Sequence, residues 1–258
     1  MVLSFITTRI VLEKLGASDY GVYSLVGGFV SLFAVLNNIL NSSTSRFLAL
    51  YIGKGDSLIL KKGFSTAFVI HCIIALIVVF CLETFGLWFL NSHLNIDPNR
   101  IQASNCVFHI AVITTFLSIT QTPYIATITA HEHFNIYAIM SVFDVIAKIA
   151  ILYLLITIPG DKLILYAILL LCVSICNITL YRIYCLKHFQ ETKFSLQIDK
   201  PIFKEMLKFS GWGTFGHIIT VINSQGTNIL FNIFFNISLN LQRNNFPFYV
   251  TKIFLGDD

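Results

Sequence analysis

The chain has 258 residues, of which 56% are hydrophobic and 12% charged, with a formal net charge of +4. An ordinary soluble domain carries roughly 25% charged residues, so this composition excludes a soluble globular or disordered protein and predicts an all-α, polytopic membrane protein. The small positive excess sits in loops between apolar runs, where it reports membrane topology and excludes a nucleic-acid footprint.

A bilayer core of about 30 Å requires about 20 apolar residues per helix, and six or seven such runs are legible. Met1 to Leu12 is too short to span and has neither the basic start nor the cleavage site of a secretory signal. It reads as the tail of a helix that begins upstream. In "TTRIVLEKLG", Arg9 and Glu13 lie four apart, within pairing distance on a helix.

The second run, Tyr20 to Phe47, carries Ser24, Gly27, Ser31, Ala34, Asn38, Asn41 and Ser45 at alternating steps of three and four, which is one helix face. Arg46 closes it at the membrane surface. Phe64 to Leu90 follows, with His71 expected as a packed or hydrogen-bonded side chain and Glu83 near the far interface. Ser104 to Ile128 repeats the polar face with Ala111, Thr115, Ser118, Thr122, Ala126 and Thr129, and Pro123 adds a bend. Small and hydroxyl residues on one face mean close helix packing or a wet cavity. The carboxamides of Asn37, Asn38 and Asn41 favour the cavity.

Between the fourth and fifth runs, "HEH" (His131 to His133) reads as a solvated turn, with no third ligand to complete a metal site. The fifth run, Phe134 to Ile158, holds Asp144 and Lys148 near its middle. Four residues apart, they share a face and can pair. An ionised group at mid-bilayer costs at least about 2.5–3.5 kcal/mol, so the pair either closes on itself as a structural staple or borders a hydrophilic pathway. Leu163 to Cys185 is the sixth run, and Phe209 to Phe235 the seventh, whose polar face is Gly213, Gly216, Thr220, Asn223 and Thr227. The polar segment from Leu186 to Lys208 is the one candidate boundary between subdomains.

Positive residues stay cytoplasmic. One set of loops carries Arg46, Lys54, Lys61, Lys62, Arg182, Lys187, Lys193, Lys200, Lys204 and Lys208, against Lys14, Arg100 and Lys162 on the other. The chain start and the 186–208 segment are therefore expected in the cytoplasm. Cys72, Cys81, Cys106, Cys172, Cys176 and Cys185 fall in or beside apolar runs, where a thiol acts as a small hydrophobe. No phosphate loop, Rossmann glycine pattern, zinc-protease motif or catalytic triad is present, so no enzyme and no cofactor is expected.

The stretch "TTRIVLEKLGASDYGVYSLVGGFVSLFAVLNNILNSSTSRFLALYIGKGD" resembles the Wzx-type oligosaccharide-lipid flippases of O-antigen and capsule assembly. These belong to the multidrug/oligosaccharidyl-lipid/polysaccharide exporter superfamily. The resemblance continues through "ETFGLWFLNSHLNI", "PYIATITAHEHFNIYAIMSVFDVIAKI", "DKLILYAILL", "YRIYCLKHF" and "FKEMLKFSGWGTFG", about nine-tenths of the chain. It implies an N-lobe of about six helices (1–185), a cytoplasmic inter-lobe linker (186–208), the first C-lobe helix (209–235) and an off-pattern tail (236–258). It further implies alternating-access translocation of undecaprenyl-diphosphate-linked oligosaccharide across a bacterial inner membrane, with membrane lipids and the polysaccharide polymerase as partners. Cavity cations at Arg9 and Arg46 match the family pattern. Asp144, Lys148, Asn38 and Asn41 join them from the residues themselves.

The first helix lacks its beginning and most of the C-lobe is missing, as in a truncated or frameshifted reading frame. One lobe cannot enclose a two-lobed cavity, so the chain alone is not expected to transport. Two alternatives remain: a Na⁺- or H⁺-coupled drug antiporter using Asp144 or Glu83, and a non-transporting membrane scaffold for glycan synthesis.

Overall fold

The computed structural model describes residues 10–13, 15–93, 98–158, 160–193 and 198–212. Among them every regular element is helical. Helices α1 (Ala17–Gly53), α2 (Ser57–Cys81), α3 (Leu87–His93), α4 (Ile101–Ala130), α5 (Phe134–Thr157) and α6 (Lys162–His188) follow in order. One π-helical turn, Leu82–Gly86, joins α2 to α3 without a break, and residues 200–212 form a further helix. Arg9, the polar face of the seventh run and the tail lie outside the described residues.

Among the described residues, four helical stretches are long and apolar enough to cross a membrane: Ser57–Ser92, Pro98–Ala130, Phe134–Thr157 and Lys162–His188. Helix α1 is the longest at 37 residues, about 55 Å at 1.5 Å per residue. Large apolar side chains ring the outside, among them Leu76, Phe80, Phe85, Ile146, Tyr153 and Ile183. Exposed apolar surface of this extent is compatible with helices that cross a membrane.

The helices run alternately up and down. Their caps are local: Asp56 accepts backbone N–H bonds from Leu58 and Ile59 at the start of α2, and Asp161 does the same for Leu163 and Ile164 at α6. One end gathers the α1–α2 turn, the α4–α5 turn and the segment after α6; with Lys54, Lys61, Lys62, Lys187 and Lys193 it is the basic end. At the other end Arg100 bridges Asp19 of α1 at 2.9 Å and Asp161 of α6 at 2.6 Å, which ties together the starts of α1, α4 and α6.

Helix α4 is the central element, touching α1, α2, α5 and α6. Its outer half buries Val107, Phe108, Val112 and Ile119 in the main core with Val26, Leu40, Val78 and Leu155. Gly86 of the π-turn admits the Phe108 ring so closely that a Cβ there would lie 2.7 Å from Cζ. Nearer the basic end, Tyr124, Ala126 and Ile128 pack with Leu48, Phe64, Tyr181 and Cys185. The compact unit extends to Ser210, because the helix beginning at residue 200 lays Ile202, Phe203 and Met206 against Phe47, Tyr51, Ala67 and Ile70. The stretch from Leu186 to Lys208 is thus helical at both ends.

Candidate functional site

The interior of α4 is hydroxyl-rich, and most of those hydroxyls return to its own backbone: Thr114 to Ile110, Thr115 to Ala111, Thr127 to Pro123. Such back-bonds keep a polar side chain satisfied in lipid without a partner. Three polar groups reach further. Asn37 of α1 donates to Ser118 Oγ at 2.9 Å and accepts from Thr122 Oγ1 at 3.2 Å, which joins α1 to α4. On the opposite flank, Thr114, Ser118 and Gln121 face Ser174, Asn177, Ile178 and Tyr181 of α6 across a cavity of about 180 Å³. A second, mainly apolar cavity of about 150 Å³ between α1, α4 and α6 shares Thr114 with it.

Asn177 links this cavity to α5. Its Nδ2 donates to Asp144 Oδ1 at 3.0 Å, and Asp144 Oδ2 meets Lys148 Nζ at 2.7 Å. The other amide atom, Asn177 Oδ1, is buried without a hydrogen-bond partner. Counted from the helix ends at the basic end, Asp144 and Lys148 lie about 15 and 21 Å deep, Asn177 about 17 Å, Ser118 about 18 Å and Asn37 about 24 Å. Four helices therefore place their polar groups in one layer near mid-span.

Helix geometry decides which way the charged pair faces. Asp144, Lys148, Leu152 and Leu155 follow at steps of four and three, one face, and Leu152 and Leu155 are buried in the core. The exposed apolar arc of Val145, Ile146, Ile149 and Ile156 is elsewhere on the helix. The pair is therefore turned toward the bundle. It is still open: Lys148 retains 52% and Asp144 32% of its side-chain exposure, and Ser141 and Tyr137, on the same face one and two turns toward the basic end, are exposed. Helix α5 closes against the bundle in its outer half and leaves this face uncovered in its inner half.

The other expected cavity residues are placed differently. Asn38 is exposed, and Asn41 is half-buried with an unbonded Oδ1. On the same α1 face Ser24 is also exposed, whereas Gly27 lines the apolar cavity shared with α4 and α6. On α4 the matching stripe divides: Thr115, Thr122 and Ala126 are buried, whereas Ser118 reaches across to Asn37. Arg46 is away from the mid-span layer, its guanidinium 4.6 Å over the Phe209 ring.

Some polar residues gave no sequence signal. Asn177 stands singly between apolar residues, and Gln121 sits between Thr120 and Thr122. Arg182, counted only as a loop charge, points inward: it donates to Thr120 Oγ1 at 3.4 Å and its Cζ lies 5.4 Å from the Tyr124 ring centre. Glu83, on the π-turn, pairs with His109 of α4 at 3.0 Å. The "HEH" turn is more than a solvated loop. His131 bonds Glu191 at 2.5 Å and stacks 4.3 Å from Phe189, while His133 bonds the Tyr184 hydroxyl at 3.1 Å. His71 is packed as expected, with Nδ1 2.7 Å from the Ala67 carbonyl oxygen. No group of three His, Cys, Asp or Glu side chains arranged to hold a metal occurs among the described residues.

Comparison of the chain with known protein families, characterised proteins and solved structures finds no match.

Proposed function

We propose that the chain is the N-lobe of an oligosaccharide-lipid flippase of a bacterial inner membrane, with the basic end in the cytoplasm. The observation that carries this reading is the mid-span layer, in which Asn37, Ser118, Asn177, Asp144 and Lys148 meet beside a polar cavity. A chain that only anchors has no use for a layer costing several kcal/mol to place in hydrocarbon. The exposure of Ser24 and Asn38 on α1 supports the same reading, because a second lobe would cover these polar side chains and keep them from lipid.

In this mechanism no covalent bond changes. Lys148 supplies a cation for the diphosphate of an undecaprenyl-diphosphate-linked oligosaccharide entering from the basic end, and Asp144 holds that cation in place until the anion competes for it. Asn177, Gln121, Ser118 and Tyr181 offer neutral donors and acceptors to sugar hydroxyls. Translocation requires a partner lobe that closes over α1 and opens on the other side.

The test is binding by the full chain in nanodiscs. Saturable binding of the lipid-linked oligosaccharide is expected, weakened about tenfold by Lys148→Gln, the loss of one charge-assisted contact. Binding equal to that of uncharged polyprenol would overturn the reading.

A non-transporting scaffold is the second reading, favoured by one observation: the Asp144 carboxylate is held by both Lys148 and Asn177 Nδ2, as in a dry helix staple. Water access at position 148 separates the two.

A further inference from the structure

The helix that begins at residue 200 is held by one face only. Asp199 caps it, accepting from the Ile202 backbone N–H at 3.3 Å while its own N–H donates to Thr66 Oγ1 at 3.2 Å. Ile202, Phe203 and Met206 then pack on α1 and α2, and Ser210 bonds Ser43 at 2.8 Å. Successive turns thus climb α1 from Tyr51 toward Ser43, away from the basic end and into the apolar zone.

The opposite face carries Lys200, Lys204 and Lys208, all exposed. Steps of four place them on one stripe, with Leu207, 46% exposed, beside it. None of the three pairs with a carboxylate among the described residues. Like charges four apart repel along a helix, and the one carboxylate within the helix, Glu205, exposed three residues before Lys208, leaves the stripe net positive. It spans about 12 Å along the axis, and lysine stems reach back toward a headgroup layer while their apolar carbons stay in the chain region. With the membrane placed as proposed above, those ammonium groups reach the phosphates of the leaflet at the basic end, and anionic lipids attract basic segments of this kind.

We infer that Lys200, Lys204 and Lys208 form a docking site for the headgroup of an anionic phospholipid on the cytoplasmic leaflet. The inference rests on the membrane placement and orientation proposed above, and not on oligosaccharide transport.

The test uses the full chain in nanodiscs of equal phosphatidylglycerol and phosphatidylcholine, with retained lipids counted by native mass spectrometry. Phosphatidylglycerol is expected in excess on the wild type. The triple variant Lys200→Gln, Lys204→Gln, Lys208→Gln is expected to lower that excess about tenfold. Triple Arg substitution should keep it, which separates loss of charge from loss of fold. A control with the same charge change, Lys61→Gln, Lys187→Gln and Lys193→Gln, should leave it intact.

Three results would overturn the inference: an unchanged ratio in the triple Gln variant, an equal loss in the control, or displacement of phosphatidylglycerol by equimolar undecaprenyl diphosphate. The last would make the stripe part of the substrate path. The readout contains no oligosaccharide, so the flippase reading can fail with this site intact.

Discussion

Lys148 and Asp144 show how an ion pair is kept inside an apolar helix. The pair is bonded within its own turn, and Asn177 takes the second carboxylate oxygen. Lys148→Ala leaves the carboxylate partly buried without its cation and is expected to cost about 1–2 kcal/mol of unfolding free energy. Asp144→Asn with Lys148→Met, which removes both charges, should recover most of that loss. Titration of folded protein with a denaturing detergent measures both. The pair was legible because two charges stand out in 25 apolar residues. Asn177 was not, since a single carboxamide has no period and its partner is on another helix.

At the opposite rim the balance is different. Asp19 precedes the span that begins at Tyr20, and its side chain is only 6% exposed. Burial raises its carboxyl above the ordinary value of 3.8 and Asp161 adds to this, while Arg100 pulls it down. A folded-state value that is raised means a contribution to stability complete below the ordinary value and lost as pH rises through the raised one. The unfolding midpoint of the wild type is expected to fall across that window, and Asp19→Asn to flatten the fall. Arg100→Gln should cost about 2–3 kcal/mol at neutral pH by leaving two carboxylates without their cation, and adding Asp19→Asn should restore part of it.

At the scale of elements, the apolar runs located the helices well. Phe134 to Ile158 is α5 to within a residue, and Ser104 to Ile128 and Leu163 to Cys185 lie inside α4 and α6. The helices outrun the apolar segments, because backbone hydrogen bonding does not stop where the apolar run does: α1 continues from Phe47 to Gly53, and α2 begins at Ser57, ahead of Phe64. The π-turn at Leu82–Gly86 had no signature, being made by packing of Gly86 against Phe108. The α4–α5 turn was read correctly as tight, but its histidines engage residues 51 and 60 positions away, beyond the reach of any local pattern. Glu132 there adopts φ 59°, a left-handed conformation unfavourable for a residue with a Cβ. Glu132→Gly is expected to stabilise by about 0.5–1 kcal/mol, measured as a rise in the same detergent midpoint.

For the whole molecule, composition alone separated lipid-facing from inward-facing surface. What it left open was which polar face is hidden. The stripe of α1 reads as one continuous face in sequence, yet Asn37, a third of a turn from Asn38, is the residue that reaches α4. Helix rotation is set by packing partners, and those belong to the fold. The result is a bundle with apolar sides, a polar layer near mid-span and an α5 face uncovered toward the basic end. If that face is wet, the layer is a pathway; if dry, it is a staple.

The most direct measurement is thiol labelling in a background with all six cysteines replaced by Ala. Single cysteines are placed at Lys148, Ser118 and Tyr153, and a membrane-impermeant reagent is applied from the side of the basic end. Positions 148 and 118 are expected to react and position 153, on the exposed apolar arc, to stay unmodified. Unreactive cysteines at both 148 and 118 would contradict a water-accessible layer and leave the scaffold.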